Sequence, residues 1–201
     1  MLASSSPGPV VLVLASGRGE RFKASGGATH KLCAPLGSTT VLEHTLAAVR
    51  ASGLAWHVED AGHPGMGDSI AAAVRATAGA NGWLVLPGDL PLVLPGTLRS
   101  MACALQAAAA EGGAVVQPVY QGERGHPVGF ASACGAELMT LTGEQGAARI
   151  VRQYAQQGRL RQVSVEDVGT VTDVDTVQDL ARAEEILAQR LAASAAHGGS
   201  G

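Results

Sequence analysis

Aromatic residues make up only 3% of the 201-residue sequence, and this scarcity constrains both its interior and its partners. With two each of Trp, Tyr and Phe, a core has to be built from aliphatic side chains and alanine. Few rings remain to stack on the bases of a single strand. Strong positive charge is missing as well: the formal net charge is −3, which makes no electrostatic case for a nucleic-acid partner. Cysteine is sparse and odd in number. Cys33, Cys103 and Cys134 lie far apart and fit reduced thiols in a cytoplasmic protein better than a disulfide framework or a zinc site. No apolar run approaches the length of a membrane span, and Met1 to Pro9 lacks the charged and apolar regions of a secretory signal, so no membrane partner is expected. No internal repeat is visible.

What is present suffices for one domain: 46% of the residues are hydrophobic, ample for a sizeable core. The expected organisation is a flexible N-terminus over 1–9, one domain over 10–193, and an alanine-, serine- and glycine-rich disordered tail over 194–201.

The domain opens on Val10-Val-Leu-Val-Leu-Ala-Ser-Gly-Arg-Gly-Glu-Arg-Phe22, followed after a polar gap by Lys31. The run Val10 to Leu14 is continuously apolar, as a strand inside a parallel sheet would be. Gly17 and Gly19 then allow a close backbone approach, and Arg18, Arg21 and Lys31 surround it with positive charge. Amide donors and cations at one place suit a polyphosphate. A Walker A loop is excluded because no window reads G-x-x-x-x-G-K-[ST], and the dinucleotide fingerprint would need a third glycine where Phe22 stands.

Further along, Thr40 and Glu43 form a capping box for a helix ended by Gly53, and Leu54 to Glu59 reads as a marginal or edge strand with His57 exposed on it. Gly65-Met-Gly-Asp-Ser69 precedes an alanine-rich helix over Ile70 to Ala78, either as a second ligand-facing turn or as a flexible helix entry capped by Asp68 or Ser69. Trp83 to Pro87 is another buried strand that leaves Asp89 at its carboxyl end, the edge where ligands sit in open parallel sheets. Such an aspartate suits a hard cation, or it caps the turn. A helix over Leu98 to Ala110, a strand over Ala114 to Val119, and a hairpin turning on Gly122 and Gly125 follow. Arg124 and His126 beside that turn suit a phosphate or carboxylate substrate. Gly143 opens a helix to about Gln157, and Leu160 to Val165 alternates as a strand. Asp173 and Asp175 lie two apart on one side of extended chain, and Thr176 with Asp179 caps the last helix.

These stretches together resemble the molybdenum-cofactor nucleotidyltransferases of the MobA-like NTP transferase group, most closely the cytidylyltransferase branch, over about Val10 to Leu191. The marks of the resemblance are Leu14-Ala-Ser-Gly-x-Gly-x-Arg-Phe22 with Lys31, Gly65-Met-Gly-Asp-Ser69, Pro87-Gly-Asp-Leu-Pro91, Arg124-Gly-His-Pro-Val-Gly-Phe130 and Asp173-Val-Asp-Thr176. It implies a three-layer, Rossmann-like α/β fold with a mostly parallel sheet, and transfer of a nucleoside monophosphate from an NTP to a phosphate-bearing pterin acceptor with release of pyrophosphate. By the same resemblance Leu14, Ala15, Ser16, Gly17, Arg18, Gly19, Gly65, Gly67 and Ser69 would bind the nucleotide. Arg21, Lys31 and Asp89 would be catalytic, Asp89, Asp175 and Asp173 would hold Mg²⁺, and Arg124 and His126 would face the acceptor. A molybdoenzyme is an implied partner.

Three departures stand out. Ser16 replaces the usual alanine or glycine near the base, and its bulk favours CTP over GTP. The interval from Gly53 to Gly65 is short by about one strand–helix unit. The glycine-rich Ala24 to His30 lengthens the approach to Lys31. A GTP-using or other-acceptor transferase, and a non-catalytic nucleotide-binding or chaperone-like partner of a molybdoenzyme, are the competing expectations.

Overall fold

Strand β1 (Val10–Leu14) divides its side chains by parity: Val11 and Val13 enter one buried apolar cluster, Leu12 and Leu14 another. A strand buried on both faces needs helices on both sides, and the chain supplies them. The structure, a computed structural model, describes residues 8–198; the rest of the expected flexible N-terminus, residues 1–7, lies outside that range.

After β1 come a one-turn helix α1 (Glu20–Ala24), a two-stranded ribbon of β2 (Pro35–Leu36) and β3 (Thr39–Thr40), and helix α2 (Val41–Ser52). Thr40 Oγ1 accepts from the Glu43 N–H at 3.3 Å, so the expected cap forms, although the Glu43 carboxylate pairs with Arg50 instead of reaching back. Strand β4 (Trp56–Glu59) passes through residues 60–65 straight into α3 (Met66–Ala76) with no further strand or helix between. Strand β5 (Gly82–Pro87), helix α4 (Pro95–Ala110), and strands β6 (Val115–Tyr120), β7 (Glu123–Arg124) and β8 (Val128–Ala131) follow. The chain closes with α5 (Gly135–Met139), α6 (Ala148–Gln156), β9 (Leu160–Ser164) and α7 (Val177–Gly198).

The main sheet has the order β4-β1-β5-β8-β6-β7, with β9 also paired to β6. β4, β5 and β1 run parallel, as do β6 and β9, while β8 is antiparallel to both β5 and β6. The result is the expected three-layer α/β fold with a mostly parallel sheet, and β4 is the edge strand its polar sequence predicts. On one face α3, α5 and α6 pack Ile70, Val74, Leu138, Ile150 and Tyr154 against Leu12, Val85 and Phe130. On the other, α2 and α4 pack Val49, Leu98, Met101 and Leu105 against Val11, Val13, Leu84 and Leu86.

Several boundaries differ from the sequence-based expectation, each for a local reason. Helix α4 begins at Pro95 because proline suits the first helical position. Helix α3 begins at Met66 with extended Gly65 as its N-cap, so the cap is neither Asp68 nor Ser69; the Asp68 carboxylate instead accepts from the Gly143 N–H at 2.9 Å. Residues 143–147 therefore form a loop against α3, and α6 starts only at Ala148. The β6–β7 hairpin turns on Gln121 and Gly122, both at positive φ, whereas Gly125 abuts Thr170 so closely that a Cβ there would meet its carbonyl oxygen at 2.5 Å. Helix α7 runs through the segment expected as a disordered tail as far as Gly198, and residues 199–201 lie outside the described range. No described helix is long and apolar enough to cross a membrane, and the three cysteines are unbridged.

A third cluster joins Phe22, Leu32, Leu36, Val41, Leu92, Val174 and Ala183. It ties the glycine-arginine loop to α7 and to the segment carrying Asp175. Phe22 is only 2% exposed, and burying such a ring is worth about 2–3 kcal/mol. The residue that ends the dinucleotide fingerprint is therefore the anchor of the loop.

Candidate active site

The parallel strands β1, β4 and β5 end on the same edge, and their following loops enclose a cavity of about 360 Å³. Leu14 at the end of β1, Ser16, Gly17, Arg18 and Gly19 in the following loop, and Arg21 in α1 line it. Lys31 and Asp89, the largely buried charged pair, form its floor, and Asp175, Gly65 and Ser69 line it as well. Sequence positions from four separate stretches thus meet at one place.

Local chemistry explains how each arrives. The Gly88 N–H donates to the Leu14 carbonyl at 2.9 Å, setting the ends of β1 and β5 side by side and projecting Asp89 into the cavity. Val174 N–H donates to the Asp89 carbonyl at 3.0 Å, which brings Asp175 alongside. That approach depends on the tight turn 168–170: a Cβ on Gly169 would sit 2.0 Å from the Leu92 carbonyl oxygen. Thr176 and Asp179 cap α7 reciprocally, Asp179 Oδ2 accepting from Thr176 N–H at 2.8 Å and Thr176 Oγ1 from Asp179 N–H at 3.1 Å.

The floor is a cation held between two carboxylates. Lys31 Nζ donates to Asp89 Oδ2 and to Asp175 Oδ1, both at 2.6 Å, and Arg21 reaches Asp175 Oδ2 at 2.6 Å. Burial by itself would lower the Lys31 pKa, but Asp89 and Asp175 outweigh it and hold the ammonium above its ordinary value of 10.5. Asp89 Oδ1 is buried and has no hydrogen-bond partner among the described residues. An orphaned buried carboxylate oxygen calls for a ligand. Asp89 and Asp175 fit a divalent ion of the Mg²⁺ type, which takes one or two protein carboxylates and completes its shell with water and substrate phosphates.

Above the floor, the N–H groups of Ser16, Gly17, Arg18 and Gly19 have no partner among the described residues. The loop that bears them is pinned from an unexpected quarter. His30, at the end of the lengthened 24–30 segment, contacts the Gly17 carbonyl through Nε2 at 2.6 Å while its Nδ1 accepts from the Leu32 N–H at 3.3 Å. Since Nδ1 accepts, the ring is neutral with its proton on Nε2, donated to Gly17. Sequence reading passed over His30, and a histidine directly before the lysine was its only signal.

Other expected residues stand elsewhere. The Ala15 N–H donates to the Glu59 carbonyl at 2.8 Å and the Gly67 N–H to the Gly143 carbonyl at 2.8 Å, so neither amide is available to a ligand, and neither residue lines the cavity. A Cβ on Gly67 would meet the Thr142 carbonyl oxygen at 2.7 Å, so that glycine is required by packing. Asp173 is exposed and does not join Asp89 and Asp175: among the described residues no three His, Cys, Asp or Glu side chains are arranged to hold a metal. Burial and then the charge of Asp89 raise its pKa. Arg124 is exposed on β7, outside the cavity wall. His126 is half-buried nearby, with its N–H on the Thr170 carbonyl at 2.9 Å; burial lowers its pKa despite the opposing charge of Asp89. His57 is half-buried rather than exposed, 3.6 Å from the Glu59 carboxylate. His63, Pro64, Met66 and Glu144 line the cavity as well, unforeseen because loops set their direction.

Known proteins resemble this chain in sequence and fold. Residues 47–158 match the family model described as the MobA-like NTP transferase domain. The 2-C-methyl-D-erythritol 4-phosphate cytidylyltransferase of Cereibacter sphaeroides is 30% identical over 218 aligned residues, covering 88% of this chain and 96% of its own. Rv0371c of Mycobacterium tuberculosis H37Rv, 26% identical, superposes with a TM-score of 0.71 over 90% of this chain and 99% of its own. Rv0371c is also known in complex with manganese. The molybdopterin-guanine dinucleotide biosynthesis protein A of Archaeoglobus fulgidus shares the fold at 18% identity, with a TM-score of 0.59 over 90% of this chain and 99% of its own. The chain belongs to the MobA-like NTP transferase domain family and is a nucleotidyltransferase that acts on a nucleoside triphosphate.

Proposed function

We propose that the protein transfers CMP from CTP to a phosphate-bearing pterin acceptor of the molybdopterin type, releasing pyrophosphate. The observation that carries this reading is the largely buried Lys31 bound to Asp89 and Asp175, with the exposed Arg21 reaching Asp175 from outside, beside a loop of unpartnered amides. A triphosphate brings several negative charges, and that combination of cations and donors suits it. Ser16 beside the base leaves less room than glycine would, which favours a pyrimidine.

In this reading Leu14, Ser16, Gly17, Arg18, Gly19, Gly65 and Ser69 contact the nucleotide. Arg21 and Lys31 neutralise the phosphates, and Asp89 with Asp175 holds a divalent ion such as Mg²⁺. When bound, the ion supplies charge neutralisation at the phosphates. An oxygen of the acceptor phosphate attacks the α-phosphorus in line, a new P–O bond forms, and the bond to the β-phosphate bridging oxygen breaks with its electrons leaving on pyrophosphate. Lys31, Arg21 and the loop amides stabilise the charge that builds on the α-phosphoryl group and the leaving group. No general base is required, because an ionised phosphate is already a nucleophile. Of the two residues expected to face the acceptor, neither lines the cavity, and His126 is the one within the electrostatic reach of Asp89.

The similarity to methylerythritol phosphate cytidylyltransferases supports a second acceptor class, a small phosphorylated polyol, on the same site. A pyrophosphate-release assay with four NTPs, each offered a pterin phosphate and a polyol phosphate in the presence of Mg²⁺, separates the readings. CTP-dependent release with the pterin is expected. Release with the polyol alone would replace the acceptor, release with GTP alone would replace the base, and binding without release under every condition would favour a non-catalytic nucleotide-binding partner of a molybdoenzyme.

A further inference from the structure

The cavity is chemically divided. Arg21 and Lys31 join Asp89 and Asp175 in one ion-paired group, while the run His63, Pro64, Gly65 and Met66 lines the cavity without a lysine or arginine. A nucleotide laid along it puts phosphates at the charged group and its base against the wall this run makes. The hydrogen-bond bookkeeping of that wall then states what it can accept.

Ser69 is buried, and its Oγ donates to the Gly65 carbonyl at 3.1 Å, which spends its one proton. The 2.5 Å contact between Ser69 Oγ and Ser16 Oγ must then use the proton of Ser16. Ser16 is left showing lone pairs. His63 reaches the same state by a different route. Its Nε2 lies 3.1 Å from Glu59 Oε1, a carboxylate oxygen that accepts only and is itself held by the Ala61 N–H at 3.2 Å in a residue only 8% exposed. In the neutral ring the carboxylate therefore fixes the proton on Nε2, and Nδ1, which has no partner among the described residues, is then an acceptor.

We infer that Ser16 Oγ and His63 Nδ1 form an acceptor wall that selects a nucleobase bearing an exocyclic amino group, with His63 a specificity-determining residue and Glu59 the residue that positions it. This rests on the nucleotidyl-transfer reading of the cavity above. Cytosine presents N4–H₂ donors to such a wall. Uracil, of the same size, presents O4, so lone pairs oppose lone pairs and the wall's acceptors go unmet. The comparison of CTP with UTP isolates the effect from bulk.

The test is equilibrium binding of CTP, UTP and GTP to the full chain, with pyrophosphate release measured in parallel for wild type, His63→Leu, His63→Gln and Ser16→Ala. Wild type is expected to favour CTP over UTP by about 10-fold or more. His63→Leu and Ser16→Ala should each shrink that ratio several-fold by weakening CTP, with UTP little changed. His63→Gln, whose amide oxygen accepts, should retain CTP binding within about 3-fold of wild type and controls for a folding defect in the leucine variant. Equal binding of CTP and UTP by wild type, or an unchanged ratio in both His63→Leu and Ser16→Ala, overturns the acceptor wall while leaving nucleotidyl transfer intact. Failure of every NTP to bind overturns both.

Discussion

The Lys31 ammonium lies 2.6 Å from Asp175 Oδ1, a residue 144 positions further along the chain, and donates equally to Asp89. One cation thereby closes a site assembled from the first loop, the end of β5 and the approach to α7. Its removal leaves two partly buried carboxylates facing each other. Lys31→Ala is expected to lower kcat/KM for pyrophosphate release by about 10²–10³-fold, the size seen when a preorganised charge-stabilising donor is lost. Because Asp89 and Asp175 hold the Lys31 pKa above 10.5, the ammonium's contribution is fully present below that value and is lost only as pH rises through the still higher folded-state value. A pH–rate profile should therefore show no Lys31 limb anywhere in the neutral range.

Gly169 makes the approach of Asp175 possible. Gly169→Ala would drive a methyl into the Leu92 carbonyl, both backbone, so the turn has to move. Expected is a fall in thermal midpoint of about 5 °C or more, together with reduced activity. Gly122→Ala, at the hairpin tip with open space around it, is a control confined to the strain of its positive φ.

Asp167 is 3% exposed and accepts from the Leu94 N–H, Thr97 Oγ1, the Gly169 N–H and Arg190. It caps the start of α4 from a distant loop. Asp167→Ala strands those donors and the Arg190 charge, and is expected to cost about 3 kcal/mol or more in denaturant unfolding.

His126 carries a pH dependence whose direction follows from its burial. Its folded pKa lies below the ordinary 6.5, so under acid the unfolded chain takes up a proton that the folded chain resists. Stability from this group is intact above about 6.5 and declines as pH falls from there toward the folded-state value. Thermal midpoints measured from neutral to mildly acidic pH should drop for wild type, and His126→Asn should flatten that part of the curve.

Much of this was legible in the chain by itself. Apolar runs such as Val10 to Leu14 and Trp83 to Leu86 need burial on both faces, which dictates a helix-covered parallel sheet, and that sheet's carboxyl edge is where Gly17, Gly19 and Asp89 stand. Thr176 and Asp179 announced their helix through a cap three residues long. Local chemistry determines such features, so local sequence reveals them. The lower reach of the site needed the folded molecule. Whether Asp89 and Asp175 share Lys31 depends on a turn packing against Leu92, whether Gly67 serves a ligand depends on the 143–147 loop that takes its amide, and whether Ser16 donates or accepts toward Ser69 depends on the bond Ser69 makes to the Gly65 carbonyl. Those are contacts between segments far apart in sequence, and only tertiary packing decides them.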